Sequence, residues 1–188
     1  MSEDVNARTS PAVQRVRAAI VEAAATVLSR DEHASMQAVA VAAGVGRATL
    51  YRHFPSRETL LCALADAAVT GAGESLQRAN LDAVPADEAI ARATRALLSN
   101  AEHYAVVSRS GLEVDPEARQ RVFIGPLTAL VARGQSDGVL RDDLPASLMY
   151  DCWIGMVVRI VPNVEAVGVE DASSAIVRLF LDGARPRS

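Results

Sequence analysis

Few side chains in this chain of 188 residues are of a type that could do chemistry, and their spacing is selective. His33, His53 and His103 are the only histidines. None lies in a Glu-x-x-His or His-x-x-x-His pattern, so a helical zinc or di-iron site has no support. Cys62 and Cys152 stand far apart, giving neither a metal-ligand spacing nor a disulfide framework. Asp142-Asp143 is a paired acid in an expected loop and reads as solvated rather than catalytic. Gly44-Val45-Gly46 starts like a dinucleotide fingerprint, but position 49 is Thr and no strand precedes it. There is no nucleophile elbow and no phosphate loop. A small helical enzyme is therefore the weaker reading, and neither a metal nor a cofactor is expected.

Arginine is what remains. Every basic residue is arginine, which codon bias in a GC-rich genome explains most simply. The net charge of -4 looks wrong for binding a polyanion, but its distribution matters more. Residues 1–66 carry seven Arg and seven acids, whereas residues 67–188 carry twelve Arg and sixteen acids. Between His33 and Arg57 there is no acid at all, while Arg47, Arg52 and Arg57 are present. A local basic face on a mildly acidic body suits contact with phosphate at one end only.

The elements around that face follow from spacing. Ser10-Pro11 is a helix start with Pro at the first position. Val13, Val16, Ile20, Ala23 and Val27 then form an expected apolar stripe, and the helix should stop near Arg30 to His33. Ser35 is a candidate cap for a second helix over Met36 to Ala43. A third is expected from Arg47 to Phe54, and Pro55-Ser56 opens a fourth running to about Ala79. Ala40, Gly44 and Leu50 supply a small contact residue, a turn residue tolerant of positive φ and an apolar lock. That is the requirement of a helix-turn-helix.

Winding the third helix at about 100° per residue sorts its faces. Leu50 and Phe54 stack one turn apart and must face the core. Ala48, Thr49 and Arg52 then point outward, with Tyr51 and His53 on the flanks and Arg47 at the N-terminal end. Ala48 lets the backbone approach a groove. Arg52 can fork onto guanine O6 and N7, a contact worth ~1–3 kcal/mol of base discrimination. Tyr51 and His53 suit phosphates at the groove edge. Arg57, opening the next helix, suits a phosphate held with that helix's first amides. Together with Ser35 these residues form the expected DNA-facing set.

Residues 13–61, most densely RATLYRHFPSRETLL, resemble the N-terminal domain of the TetR family of bacterial transcriptional regulators. The resemblance implies that Arg47, Ala48, Thr49 and Arg52 contact bases, and that Tyr51, His53 and Arg57 contact phosphate. It also implies a small effector bound in the C-terminal helices and a homodimer formed by the last two. Two departures stand out. Gly46 occupies the place where the family usually caps the recognition helix with Ser, and the link Arg30-Asp31-Glu32-His33-Ala34 lacks the usual glycine.

The remainder of the chain is weaker evidence. Helices are expected near 86–109, 116–134, 146–161 and 171–184, with a loop from Gly134 to Pro145. Asp115-Pro116-Glu117 combines cap, proline and first-turn acid. The last two helices carry apolar arcs too broad for one buried face: Leu148, Met149, Cys152, Trp153, Met156, Val157 and Ile160 on one, and Ile176, Val177, Leu179, Phe180 and Ala184 on the other. His103, Tyr104, Phe123, Met149, Trp153 and Arg159 are candidates to line an effector pocket, each with plain packing or an ion pair as its alternative.

The expected architecture is all-α, with about nine helices. It comprises a flexible arm over 1–10, a helix-turn-helix domain over 11–56 and a helical effector-binding and dimerisation domain over 57–188. The expected partners are double-stranded palindromic DNA, a second copy of the chain and a small apolar effector. A DNA-binding protein without an effector is the alternative, disfavoured by the large apolar body. No apolar run approaches the ~20 residues of a membrane span, and no secretory leader is evident, so a cytoplasmic protein is expected.

Overall fold

The computed structural model describes residues 10–101, 103, 106 and 115–186. The expected arm therefore lies outside the described residues except for Ser10. Among the described residues there is no strand, and the chain is all-α. The helices are α1 (Pro11–Arg30), α2 (Met36–Ala42), α3 (Arg47–His53), α4 (Arg57–Arg78), α5 (Ala86–Leu98), α6 (Pro116–Arg119), α7 (Gly125–Ser136), α8 (Ala146–Ile160), α9 (Val164–Val167) and α10 (Val169–Ala184). They fall into two compact units. The first holds residues 10–67 with 103 and 106, and the second holds 68–101 and 115–186. No helix among the described residues is long and apolar enough to cross a membrane.

In the first unit, α1 packs on α2 and α2 on α3. The buried side of α1 is Ile20, Val21, Ala24, Ala25 and Leu28. This corrects the stripe expected from the sequence. Val13, Val16, Ala23 and Val27 are only half-buried. Alanine and valine occupy so much of this helix that several stripes fit, and the bulk of Leu28 decides in favour of the 20-24-28 row. α1 ends at Asp31, which has extended backbone angles. The Asp31 carboxylate accepts from the His33 amide at 3.0 Å, and its carbonyl accepts from the Ala34 amide at 3.0 Å. The aspartate side chain thus builds the turn that a glycine would otherwise make.

In the second unit, α5 packs against α10, α7 and α8, and α8 packs against α7 and α10. Two residues past the end of α4, Asn80 sits in the left-handed region at φ 50°. Asn tolerates that geometry better than other side chains. Asp115 caps α6 through the amides of Glu117 and Ala118, as its sequence predicts. A π turn over Gln120–Ile124 joins α6 to α7. The Gly125 amide reaches back five residues to the Gln120 carbonyl, and Pro126, the next residue, has no N–H to give.

The expected loop from Gly134 shortens to residues 137–145, because Gly134 to Ser136 are helical. Gly134 is buried at a close approach. A Cβ there would lie 2.8 Å from Leu140 and 3.0 Å from Ala86. Its absence of a side chain serves packing, and the turn falls to Gly138 at φ 69°.

Candidate nucleic-acid interface

The turn between α2 and α3 is a Schellman motif. The Val45 amide donates to the Ala40 carbonyl at 3.0 Å, and the Gly44 amide donates to the Val41 carbonyl at 3.1 Å. Gly44 holds φ 65°, the left-handed angle the motif needs. Val39 and Ala40 are fully buried beneath it. Ser35 caps α2, its hydroxyl accepting from the Ala38 amide at 3.2 Å. Gly46 caps α3 with no side-chain bond, so the cap that the sequence lacks is also missing in space.

On α3, Leu50 and Phe54 are 0% exposed. Arg47, Ala48, Tyr51 and Arg52 are exposed, and Thr49 and His53 are half-buried. The Arg47 guanidinium carbon lies 5.5 Å from the Tyr51 ring centroid, one turn along the same face. The helix therefore buries one edge of two apolar residues and turns a cationic, aromatic edge outward.

Arg17 is not singled out by sequence, yet it holds the C-terminal end of α3. Its guanidinium carbon lies 4.4 Å from the Phe54 ring centroid, and one amino group donates to the His53 carbonyl at 3.5 Å. An arginine over an aromatic face shields it while keeping its own charge wet. This explains how Phe54 can be fully buried at the margin of a small unit. No local spacing could have found the contact, since 36 residues separate Arg17 from His53. His53 itself sits below the ordinary histidine pKa of 6.5. Burial is the main cause, and the neighbouring charges of Arg52 and Arg17 add to it. In the absence of DNA these surroundings favour the neutral imidazole.

Arg57 is half-buried. Its fork donates to the Ala34 carbonyl at 2.6 Å and to the Glu32 carbonyl. The start of α4 that carries it is closed by a reciprocal pair. The Thr59 amide donates to the Ser56 hydroxyl at 3.2 Å, and the Ser56 amide donates to the Thr59 hydroxyl at 3.2 Å.

A model of the N-terminal domain of bacterial regulatory proteins of the tetR family matches residues 20–64, the segment just described. HTH-type transcriptional regulator NfxB of Pseudomonas aeruginosa is 28% identical over 88% of this chain and 92% of its own. HTH-type transcriptional repressor LfrR of Mycolicibacterium smegmatis is 37% identical over 48% of this chain and 50% of its own. Residues 20–64 are thus a TetR-family DNA-binding domain, and the chain is similar to these regulators. It is a DNA-binding transcriptional regulator of the helix-turn-helix class. Among solved TetR-family structures, that of LfrR in complex with proflavine covers 92% of this chain and 97% of its own at TM-score 0.77 and 25% identity. That of PfmR from Thermus thermophilus covers 87% and 97% at TM-score 0.70 and 25% identity.

Outside the TetR reading head, the candidate pocket residues scatter. Trp153 is 0% exposed, stacks on Phe180 at 5.9 Å between centroids, and donates its indole N–H to the Thr94 hydroxyl at 3.0 Å. Met149 is buried one turn away on α8, and its sulfur accepts from Gln135 at 3.4 Å. Phe123 is half-buried on the π turn, and Arg159 is exposed. His103 belongs to the first unit, 3.4 Å from the Glu22 carboxylate. Tyr104 lies outside the described residues. Sequence reasoning misses Thr94, the buried hydroxyl that satisfies Trp153, because 59 residues separate the two.

The broad apolar arcs of the last helices divide in two. On α8, Met149, Trp153 and Val157 turn inward, while Leu148 is 47% exposed and Cys152 is exposed. On α10, Ile176, Phe180 and Ala184 are buried, while Leu179 is 69% exposed.

Proposed function

We propose that this regulator is a ligand-responsive repressor that binds a palindromic operator as a homodimer in the cytoplasm. Residues 11–56 read DNA, and residues 57–188 bind the effector and the partner copy. The observation that carries the reading is the outward edge of α3, where an acid-free segment presents Arg47, Ala48, Tyr51 and Arg52 to solvent while Leu50 and Phe54 anchor it. In this reading Arg47, Ala48, Thr49 and Arg52 meet base edges in the major groove, and Ser35, Tyr51 and His53 meet the backbone. Arg57, expected from sequence to meet phosphate, spends its fork on protein carbonyls instead.

One short helix reads few base pairs, so two copies related by a two-fold axis are the economical way to specificity. Leu148 and Leu179, exposed on α8 and α10, support those helices as the dimer surface. The effector reading is supported by LfrR, whose name calls it a repressor and whose structure holds proflavine. For this chain the effector is a small apolar compound bound by the second unit, with Met149, Trp153, Phe123 and Arg159 as candidate contacts.

The test has two arms. Gel shift on the DNA upstream of the protein's own gene should give a retarded band at moderate salt, and no band there or on any selected palindrome would sink the DNA half. In the second arm, thermal shift of DNA-free protein against proflavine and a panel of lipophilic compounds should raise the melting temperature with at least one. If none does while DNA binds, the protein is a constitutive binder instead.

A further inference from the structure

Arg57 occupies an unexpected position. Its side chain leaves the first residue of α4 and reaches back past the whole helix-turn-helix. One amino group donates to the Ala34 carbonyl at 2.6 Å, and the other donates to the Glu32 carbonyl. Those carbonyls belong to the α1–α2 link, the segment without a glycine. Within the link, Asp31 accepts the His33 and Ala34 amides. Ala34 is buried, and the next residue, Ser35, is the cap of α2. At the other end, Ser56 and Thr59 cap α4 directly beside Arg57. The two ends of the motif, residues 34 and 57, are thus tied by one planar cation.

We propose that Arg57 is a positioning residue, a clamp at the base of the helix-turn-helix that fixes the beginning of α2 against the start of α4 and so sets the pose of α3. The inference rests on the DNA-reading assignment above. The fork of a guanidinium suits this role. Two carbonyls two residues apart can be met at once by its rigid pair of amino groups, whereas a lysine ammonium is a single point on a flexible stem. A group engaged in this way is not the free phosphate ligand that residue type and helix position alone suggest. The same side chain could not both aim its two amino groups into the link and present them to a phosphate.

The two roles differ in how binding responds to salt. Deleting one phosphate ligand lowers the slope of log K against log salt by about 0.9 on duplex DNA. Deleting a clamp changes affinity without changing the number of ions released. The experiment compares full-length wild type, Arg57→Ala and Arg57→Lys on a duplex enriched with the wild type, with affinity measured across a salt series. Amide hydrogen exchange of the DNA-free proteins runs alongside.

The clamp predicts an affinity loss of about tenfold, which corresponds to ~1.4 kcal/mol, in both variants, with the salt slope unchanged. It also predicts faster exchange at the Ala34 and Ala38 amides in both. Should Arg57→Ala fail to fold, Arg57→Lys keeps the charge and the stem and carries the same prediction. A slope that falls by about 0.9 in Arg57→Ala, with affinity restored by lysine, would make Arg57 a phosphate ligand and overturn the proposal. Faster exchange with unchanged affinity would reduce the clamp to a fold contact and overturn it equally. If the wild type enriches no duplex, the DNA-reading assignment itself fails and takes the positioning role with it. Unchanged exchange at Ala34 would overturn the clamp alone.

Discussion

The reading head and the body are built from similar helices but use their side chains differently. In the head, every position of α3 has a single sensible direction: Leu50 and Phe54 are shut in, and Arg47, Ala48, Tyr51 and Arg52 are open. In the body, α8 is apolar nearly all round, and one face of it, Met149, Trp153 and Val157, is buried while Leu148 and Cys152 stay out. The head is specified by alternation of kinds, the body by shape. Substitutions can break or sharpen that contrast.

The largest effects should come from the two aromatic anchors. Phe54→Ala and Trp153→Ala each empty a fully buried aromatic site, and each should cost ~3–5 kcal/mol in urea denaturation. They should differ in where the loss appears. Trp153 is the sole tryptophan, so its emission reports the body. In Phe54→Ala the native emission maximum should remain that of wild type while protection from hydrogen exchange falls over residues 36–54. A shifted maximum in Phe54→Ala would mean the anchors are not local.

Gly44→Ala comes next. A Cβ at Gly44 meets no atom within 4 Å, so the cost is purely that of holding a left-handed φ of 65°. It should be ~1–2 kcal/mol, read as a lower urea midpoint with an unchanged slope. A neutral result would show that the turn relaxes without penalty.

Histidine titration gives a smaller and sharper test. Burial, then Arg52 and Arg17, hold His53 below 6.5, so NMR titration should place it under that value. Arg52→Ala should move it back upward. The sign follows: the unfolded chain takes the proton first, so stability falls as pH drops through 6.5 and is unaffected above it. A His53 that titrates at or above 6.5 would contradict the arrangement at the C-terminal end of α3.

The smallest effect should be a gain. Gly46→Ser restores a capping hydroxyl at α3, where no side-chain bond exists, and a Cβ there meets nothing within 4 Å. It should raise stability by a few tenths of a kcal/mol.

These residues also mark what a sequence can disclose. Pro11, Ser35, Gly44 and Asp115-Pro116 punctuate helices through local chemistry, and each acts where its type predicts. The faces of α3 are legible because a charged residue and a leucine cannot exchange places. The stripe of α1 is ambiguous, and the sequence pattern points to the wrong one, because alanine and valine can. Helix position alone makes Arg57 a phosphate ligand, yet its carbonyl partners lie 23 and 25 residues back. Arg17 over Phe54 and Thr94 against Trp153 are contacts of the same long-range kind. Such pairs depend on how helices lie together, which local spacing does not encode.

The central claim is that α3 reads bases, with Arg52 as its discriminating residue. Selection of bound duplexes from a random pool, run in parallel with wild type and Arg52→Ala and sequenced, tests it most directly. The account predicts a two-fold symmetric consensus for the wild type. For Arg52→Ala it predicts loss of preference at one position in each half-site, worth ~1–3 kcal/mol, with the rest of the consensus kept. No enriched consensus for the wild type, or the same consensus for both proteins with only a uniform loss of affinity, would contradict it.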